Sequence, residues 1–413
     1  MDHRLTLLIC ILLATAAAPA PTEARSLAPQ NCPYPADLVI VSGRQLPALL
    51  GSSVQQLSLF RWDGSALTPI TFQIDRKDAQ DRYILDSGQS LETGNDASAG
   101  LDDNDELSFS STDAGARLLD LETPKDPRRL TEIELPGGAG WVYAGVSVKQ
   151  PRSEEEYLNY DARRDEITAR AFKLRFDPQL PFLITSFQWQ LREHGGWSED
   201  MVDTMKIRHR GRFLDVFPFE RTQGDYTSRL VAVKAGPLRV IRRTENHVRM
   251  LWSLQSPAVQ VEYVVTPRCF IMDTLIDLPF EVGLFFSDVE TLTTVDWRAV
   301  PDPSRLSVQA PGSPAPLQID GHMSPRKNAF NEMQGTEFTV SHPLGAMTAY
   351  LSLPADAPIK AWLYLRDAQN EPDPPEHERG QFGNVGFRTR GWEQLDAGLQ
   401  RLRFHVCLSP AQN

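Results

Sequence analysis

Apolar and polar positions alternate in short runs along most of the chain, with Pro, Gly, Asp and Asn between the runs. Such alternation puts one face of a strand in a core and the other in water. Strands are predicted at Leu38–Val41, Gln56–Arg61, Thr131–Leu135, Phe182–Gln190, Val259–Thr266, Cys269–Ile276 and Arg401–Cys407. In Phe172-Lys173-Leu174-Arg175-Phe176 the apolar side chains share one face and the cations the other. Helical periodicity is scarce. The best helix signal is Ser153-Glu154-Glu155-Glu156, where Ser153 caps and Glu156 completes a capping box. The expected fold is all-β and sandwich-like.

The N-terminus reads differently. His3 and Arg4 precede an apolar run from Leu5 to Ala18 and then a small-residue stretch, the layout of a secretory signal peptide over residues 1–24. Cleavage after Ala17 or Ala24 leaves small residues at the critical positions, and the run is short for a membrane span. The mature protein is expected to be soluble, and periplasmic or secreted. A small N-terminal β-sandwich is expected over residues 25–150. A connector follows at Lys149–Asn159, and then a large antiparallel β-supersandwich over 151–413. Asp367–Arg379, rich in Pro and acids, reads as a surface loop.

Composition adds one constraint. The 413 residues carry 42 Lys+Arg against 54 Asp+Glu, a net charge of −12, which disfavours nucleic acid as a partner. The charge is unevenly placed. Asp75–Glu106 holds ten acids and three bases, while Lys206–Arg249 holds eleven bases and four acids. Either the two segments offset each other across an interface, or the basic one forms a site for an anion.

Four constellations are candidates for chemistry. In the stretch from Asp96 to Glu106, the residues Asp102, Asn104 and Glu106 supply oxygens suited to calcium. With Asp113 they match an EF-hand count except that Leu107 stands where glycine is needed, so an EF-hand is rejected. An acidic turn entering a strand is the simpler alternative. In Lys206–Arg212, strand alternation lines Lys206, Arg208, Arg210 and Arg212 along one face. The nearby Arg239–Arg243 adds Arg243, and guanidinium forks suit carboxylates, sulfates and phosphates. Trp189, Trp197 and Trp252, near His194, are either core or stacking platforms, and Trp197 is taken as part of the ligand surface. The loop Asp373–Gly386 combines His377, Glu378 and Arg379 with glycines 380, 383 and 386.

Cys32, Cys269 and Cys407 remain after removal of the signal segment, enough for one disulfide of undetermined pairing. G-x-S-x-G, H-E-x-x-H and P-loop motifs are absent from the sequence. A lyase acting on a uronate needs a base near the sugar C5 proton and cations near its carboxylate, for which His247 or Tyr263 with Arg249 are the candidates.

Three motifs taken together carry a resemblance: Pro69-Ile70-Thr71-Phe72-Gln73-Ile74-Asp75, then Asp102–Phe109, then Ala235-Gly236-Pro237-Leu238-Arg239-Val240-Ile241-Arg242-Arg243. They resemble a group of exported bacterial β-sandwich proteins of unknown function. Their order is also similar to secreted glycan-associated proteins with a galactose-mutarotase-like supersandwich, some of them rhamnogalacturonan lyases. The resemblance implies a small sandwich followed by a supersandwich and transfers no catalytic residue. The expected function is binding of an acidic glycan or other anionic ligand. A polysaccharide lyase or glycoside hydrolase, and an envelope scaffold with a protein partner, are the alternatives.

Overall fold

The computed structural model describes residues 38–85, 87–88, 100–118, 130–147, 151–191, 195–251, 254–299, 306–354, 356–372 and 380–410. The signal segment, Cys32, Asp96, His194, Trp252, His377, Glu378 and Arg379 lie outside them. The architecture is all-β, with antiparallel pairing throughout the described strands and a single α-helix among the described residues, Pro325–Phe330.

Near the N-terminus two sheets face each other. One has the order Leu38–Ser42, Glu106–Ser110, Phe72–Asp75, and the other Leu67–Ile70, Leu57–Trp62, Trp141–Val146, Leu130–Glu134. Their inner positions, among them Leu57, Leu59, Leu107, Phe109, Val142 and Ala144, form one apolar cluster.

The remaining strands build a larger sandwich around a second cluster. Its eleven-stranded sheet runs Leu317–Gln318, Ser307–Gln309, Glu337–His342, Gly345–Ser352, Gly398–Pro410, Cys269–Leu278, Val259–Val265, Val240–Leu251, Tyr226–Ala235, Ser87–Gly88, with Leu254–Gln255 pairing Val240–Leu251 off this path. Ser87–Gly88 thus ties the N-terminal region into the large sheet. A five-stranded sheet follows the order Phe217–Arg221, Val202–Phe213, Phe286–Trp297, Gln381–Arg390, Lys360–Ala368. A four-stranded sheet runs Ile184–Trp189, Phe172–Phe176, Glu166–Ala169, Leu158–Asp161. The shared core includes Phe172, Phe176, Phe187, Tyr263, Phe387 and Phe404. Each such large side chain contributes about 1.5–3 kcal/mol on burial.

The predicted alternation is observed: Phe172, Leu174 and Phe176 are buried while Lys173 and Arg175 are not. Cys269 and Cys407 stand opposite each other on neighbouring strands and form a disulfide. Three expectations are corrected. Residues 151–156 form no helix, because the Thr71 hydroxyl bonds to Ser153 Oγ at 2.9 Å and Glu155 O at 2.7 Å and holds the segment extended. Gln381–Arg390, read partly as loop, is a strand. Its Gly386 permits close approach, since a Cβ there would stand 2.1 Å from Thr293 O. Asp367, expected in a surface loop, is fully buried and accepts backbone N–H groups from Asp320, Gly321 and Gly383. The helix escaped prediction although Ser324 before Pro325 is a cap followed by proline in the first turn.

Candidate functional site

The basic row read from the sequence lies on the outer face of the five-stranded sheet. Directly opposed residues on paired strands share a face. Lys206, Thr294, Gly386 and Tyr364 form one cross-strand row, Arg208, Leu292, Arg388 and Trp362 the next, and Arg210, Glu290, Arg390 and Lys360 a third. The strands therefore add Arg388, Arg390 and Lys360 to the predicted cations, and two aromatic rings beside them. Sequence reading missed these because they lie some 150–180 positions further along the chain.

The row changes character along its length. Lys206 is buried and donates to Asp296 at 2.5 Å, and Arg208 is also buried. At the other end the side chains of Arg210 and Arg212 are 58% and 60% exposed, and their nearest acids, Glu220 and Asp288, stand at 3.7 and 3.5 Å. Arg390 bonds Glu290 at 2.8 Å, with its guanidinium 5.5 Å from the Trp362 ring centre. The inner half of the row is thus a structural ion pair, and the outer half is a surface of exposed arginines beside the half-buried Trp362.

The other predicted residues fall elsewhere. Trp197 pairs with Gln190 beside the four-stranded sheet, under the Lys173 ammonium at 4.8 Å, while Trp189 is core. Arg243 lies on the outer face of the large sheet, bonded to Glu262 at 2.9 Å. Burial raises the Glu262 pKa above its usual value, and Arg243 opposes that rise. His247 shares the face of Arg243, four residues on, and contacts Ser256 O at 3.1 Å. Arg249 bonds Asp225. Tyr263 opposes Arg242 on the core face, and its hydroxyl donates to Phe182 O at 2.9 Å. Arg242 and His247 are five residues apart on one strand, about 17 Å, and face opposite ways. His247, Tyr263 and Arg249 therefore do not assemble into a catalytic group.

Asp102 accepts the backbone N–H groups of Asn104 at 3.3 Å and Asp105 at 3.2 Å, and Asn104 donates to Asp78 O at 2.8 Å. Glu106 receives Lys77, the Tyr83 hydroxyl at 2.8 Å and Arg239 at 2.7 Å. Among the described residues no group of three or more His, Cys, Asp or Glu side chains is placed to hold a metal ion. Asp102 thus organises its own turn, and Glu106 belongs to an ion-pair network.

That network joins the three motifs behind the family resemblance. Gln73 Oε1 accepts from the N–H groups of Leu238 at 3.1 Å and Arg239 at 2.8 Å, and Gln73 Nε2 donates to Asp75 at 2.8 Å. Arg239 Nε donates to Asp75 at 2.6 Å, and Lys234 stands 3.3 Å from the same carboxylate. Arg239 is 1% exposed and Asp75 0%. The motifs thus meet as a buried clamp between the N-terminal sheets and the large sheet. Two of the charges in that clamp, Asp75 and Glu106, come from the acidic segment, and two, Lys234 and Arg239, from the basic one, so the segments offset each other at this junction. Burial would raise the Glu106 pKa, but Arg239 and Lys77 outweigh it and hold the carboxyl at about 2.

No protein-family model matches the chain, and no curated protein matches it. Among solved structures it is similar to an alpha-mannosidase from Enterococcus faecalis V583, with 10% identity and a TM-score of 0.39. The match covers 89% of this chain and 45% of that one, so the chain spans less than half of that protein's length. A similarity of this size fixes neither family nor activity.

Proposed function

We propose that the protein is an exported binding protein for an anionic ligand, an acidic glycan first of all, held on the exposed part of the five-stranded sheet. The observation that carries this reading is the Arg390 guanidinium beside Trp362, in cross-strand rows shared with Arg210 and Lys360. Guanidinium forks bind carboxylates bidentately, and an indole face packs on the apolar face of a sugar. Arg210 and Arg212 hold their acids loosely, and exposed pairs of this kind contribute only about 0–1 kcal/mol. A ligand carboxylate that displaces Glu220 or Asp288 therefore meets little resistance. Signal-directed export belongs to the same proposal.

Affinity electrophoresis of the mature protein through gels containing polygalacturonate, alginate or a neutral glucan tests it. Retardation by an acidic polymer and not by the glucan is expected. Trp362→Ala and the double variant Arg210→Ala/Arg212→Ala should each reduce it. Equal mobility in all gels would remove the acidic glycan from the account.

A further inference from the structure

The opposite side of the large sandwich carries a second group of polar side chains that the basic face does not involve. On the outer face of the large sheet one cross-strand row reads Ile241, Val264, Ile271, His405, Tyr350. Tyr83 and Leu85 cover its first three positions as an apolar cluster, so that segment forms a wall and His405 is the first position beyond it. The neighbouring row contains Asp273 and Arg403. Asp273, 4% exposed, accepts from Arg401 Nε at 2.9 Å and from Arg403 Nε at 3.0 Å. The two arginine side chains are 42% and 27% exposed.

Several groups at this step have hydrogen-bonding capacity left over. Among the described residues, Arg403 makes no side-chain bond beyond the one through Nε. His405 is 7% exposed, and neither its ring nitrogens nor the Tyr350 hydroxyl has a hydrogen-bond partner there. The two rings lie 6.1 Å apart. Burial, and then Arg403, lower the His405 pKa, so the imidazole is neutral near pH 7.

We infer that this step between the segment Tyr83–Leu85 and the strand carrying His405 is a second binding site, for a small monoanionic hydroxycarboxylate such as a single uronic acid. The cluster Arg243, Arg401, Arg403, Glu262 and Asp273 carries three positive and two negative charges, a surplus matched by one carboxylate. A neutral imidazole always presents one N–H donor and one bare nitrogen acceptor. A fully ionised oxyanion can only accept, so it leaves that nitrogen unpaired. A carboxylate with a nearby hydroxyl, as O4 of a pyranuronate supplies, can accept from the Arg403 guanidinium and also either accept from or donate to the imidazole nitrogen that faces it.

The test is titration of the mature protein with D-galacturonate, D-galactose and sulfate, which is fully ionised near pH 7, read by calorimetry and by the His405 ring shifts in NMR. Galacturonate should bind and move the His405 resonances, with galactose and sulfate at least about tenfold weaker, a difference of ~1.4 kcal/mol. His405→Ala and Tyr350→Phe should each weaken galacturonate binding, and neither removes a partner of Asp273. Arg210→Ala/Arg212→Ala should leave it unchanged, which separates this site from the basic face whether or not that face binds a polymer. Sulfate binding as tight as galacturonate, unmoved His405 resonances at saturation, or no galacturonate binding would each overturn the inference.

Discussion

Replacing Arg239 with alanine should test the clamp most severely. The substitution removes a 2.6 Å bond to Asp75 and a 2.7 Å bond to Glu106, in a place where Arg239 is 1% exposed and Asp75 is 0%. Removing one partner of a buried ion pair costs about 3–5 kcal/mol, because the remaining charge is stranded. Lys234 and Lys77 stay beside the two carboxylates, which puts the expected loss toward the lower end, ~3 kcal/mol. With about 2.1 cal/mol/K of unfolding entropy per residue, 413 residues give roughly 0.9 kcal/mol/K, so a cooperative melt should fall by about 3–4 °C. The effect also has a pH signature. The folded pKa of Glu106, about 2, lies below its ordinary 4.5. Its contribution is therefore full above about pH 4.5 and is lost as the pH falls toward 2. By linkage it amounts to ~3 kcal/mol. Without Arg239 the carboxyl titrates nearer its ordinary value, so the variant should lose less stability on acidification than the parent. Urea unfolding of both proteins near pH 7 and near pH 3 reads both effects. A loss below about 1 kcal/mol at neutral pH, or equal acid sensitivity in the two proteins, would refute a clamp held by this arginine.

Three further outcomes follow from the packing. Gly236→Ala places a Cβ 2.1 Å from Gln73 Oε1, and that amide is pinned by Leu238 and Arg239, so urea unfolding should show a loss of about 1–3 kcal/mol. Reduction of Cys269–Cys407, which closes a sequence separation of 138, should lower the denaturation midpoint by the equivalent of about 2–5 kcal/mol, and an unchanged midpoint would contradict a stabilising bridge. Lys206→Met strands Asp296 in the interior at an expected cost of about 3–5 kcal/mol, and adding Asp296→Leu should recover most of it. If instead the double variant unfolds as easily as the single one, this pair is not what sets the cost.

The strands were largely legible from sequence because a half-buried sheet imposes a period of two. Val259–Val265 and Cys269–Leu278 lie where alternation and β-branched residues place them. The alternation of Lys206, Arg208, Arg210 and Arg212 onto one face was legible for the same reason. What the pattern could not convey is which members of the row are neutralised. Asp296 sits 90 positions from Lys206, and only pairing of Val202–Phe213 with Phe286–Trp297 brings them together. Tyr263 shows the converse. Beside Arg242 in register it looks like part of a polar site, yet alternation turns it into the core. The motifs of the family resemblance marked a real constellation, but its chemistry is structural. A buried glutamine accepting two backbone N–H groups leaves no local signature beyond the glycine that makes room for it. The His405 step was invisible for a similar reason, since its parts come from residues 83–85, 273, 350 and 403–405.

The central claim, that the surface of exposed arginines beside Trp362 binds an acidic polymer, is tested most directly by calorimetric titration of polygalacturonate into the parent and into Arg210→Ala/Arg212→Ala. The titrations belong at low and at physiological salt. Measurable binding that weakens with salt is predicted, together with a loss of about tenfold, or ~1.4 kcal/mol, in the double variant at low salt. No heat of binding at low salt, or an affinity indifferent to both arginines, would contradict the account.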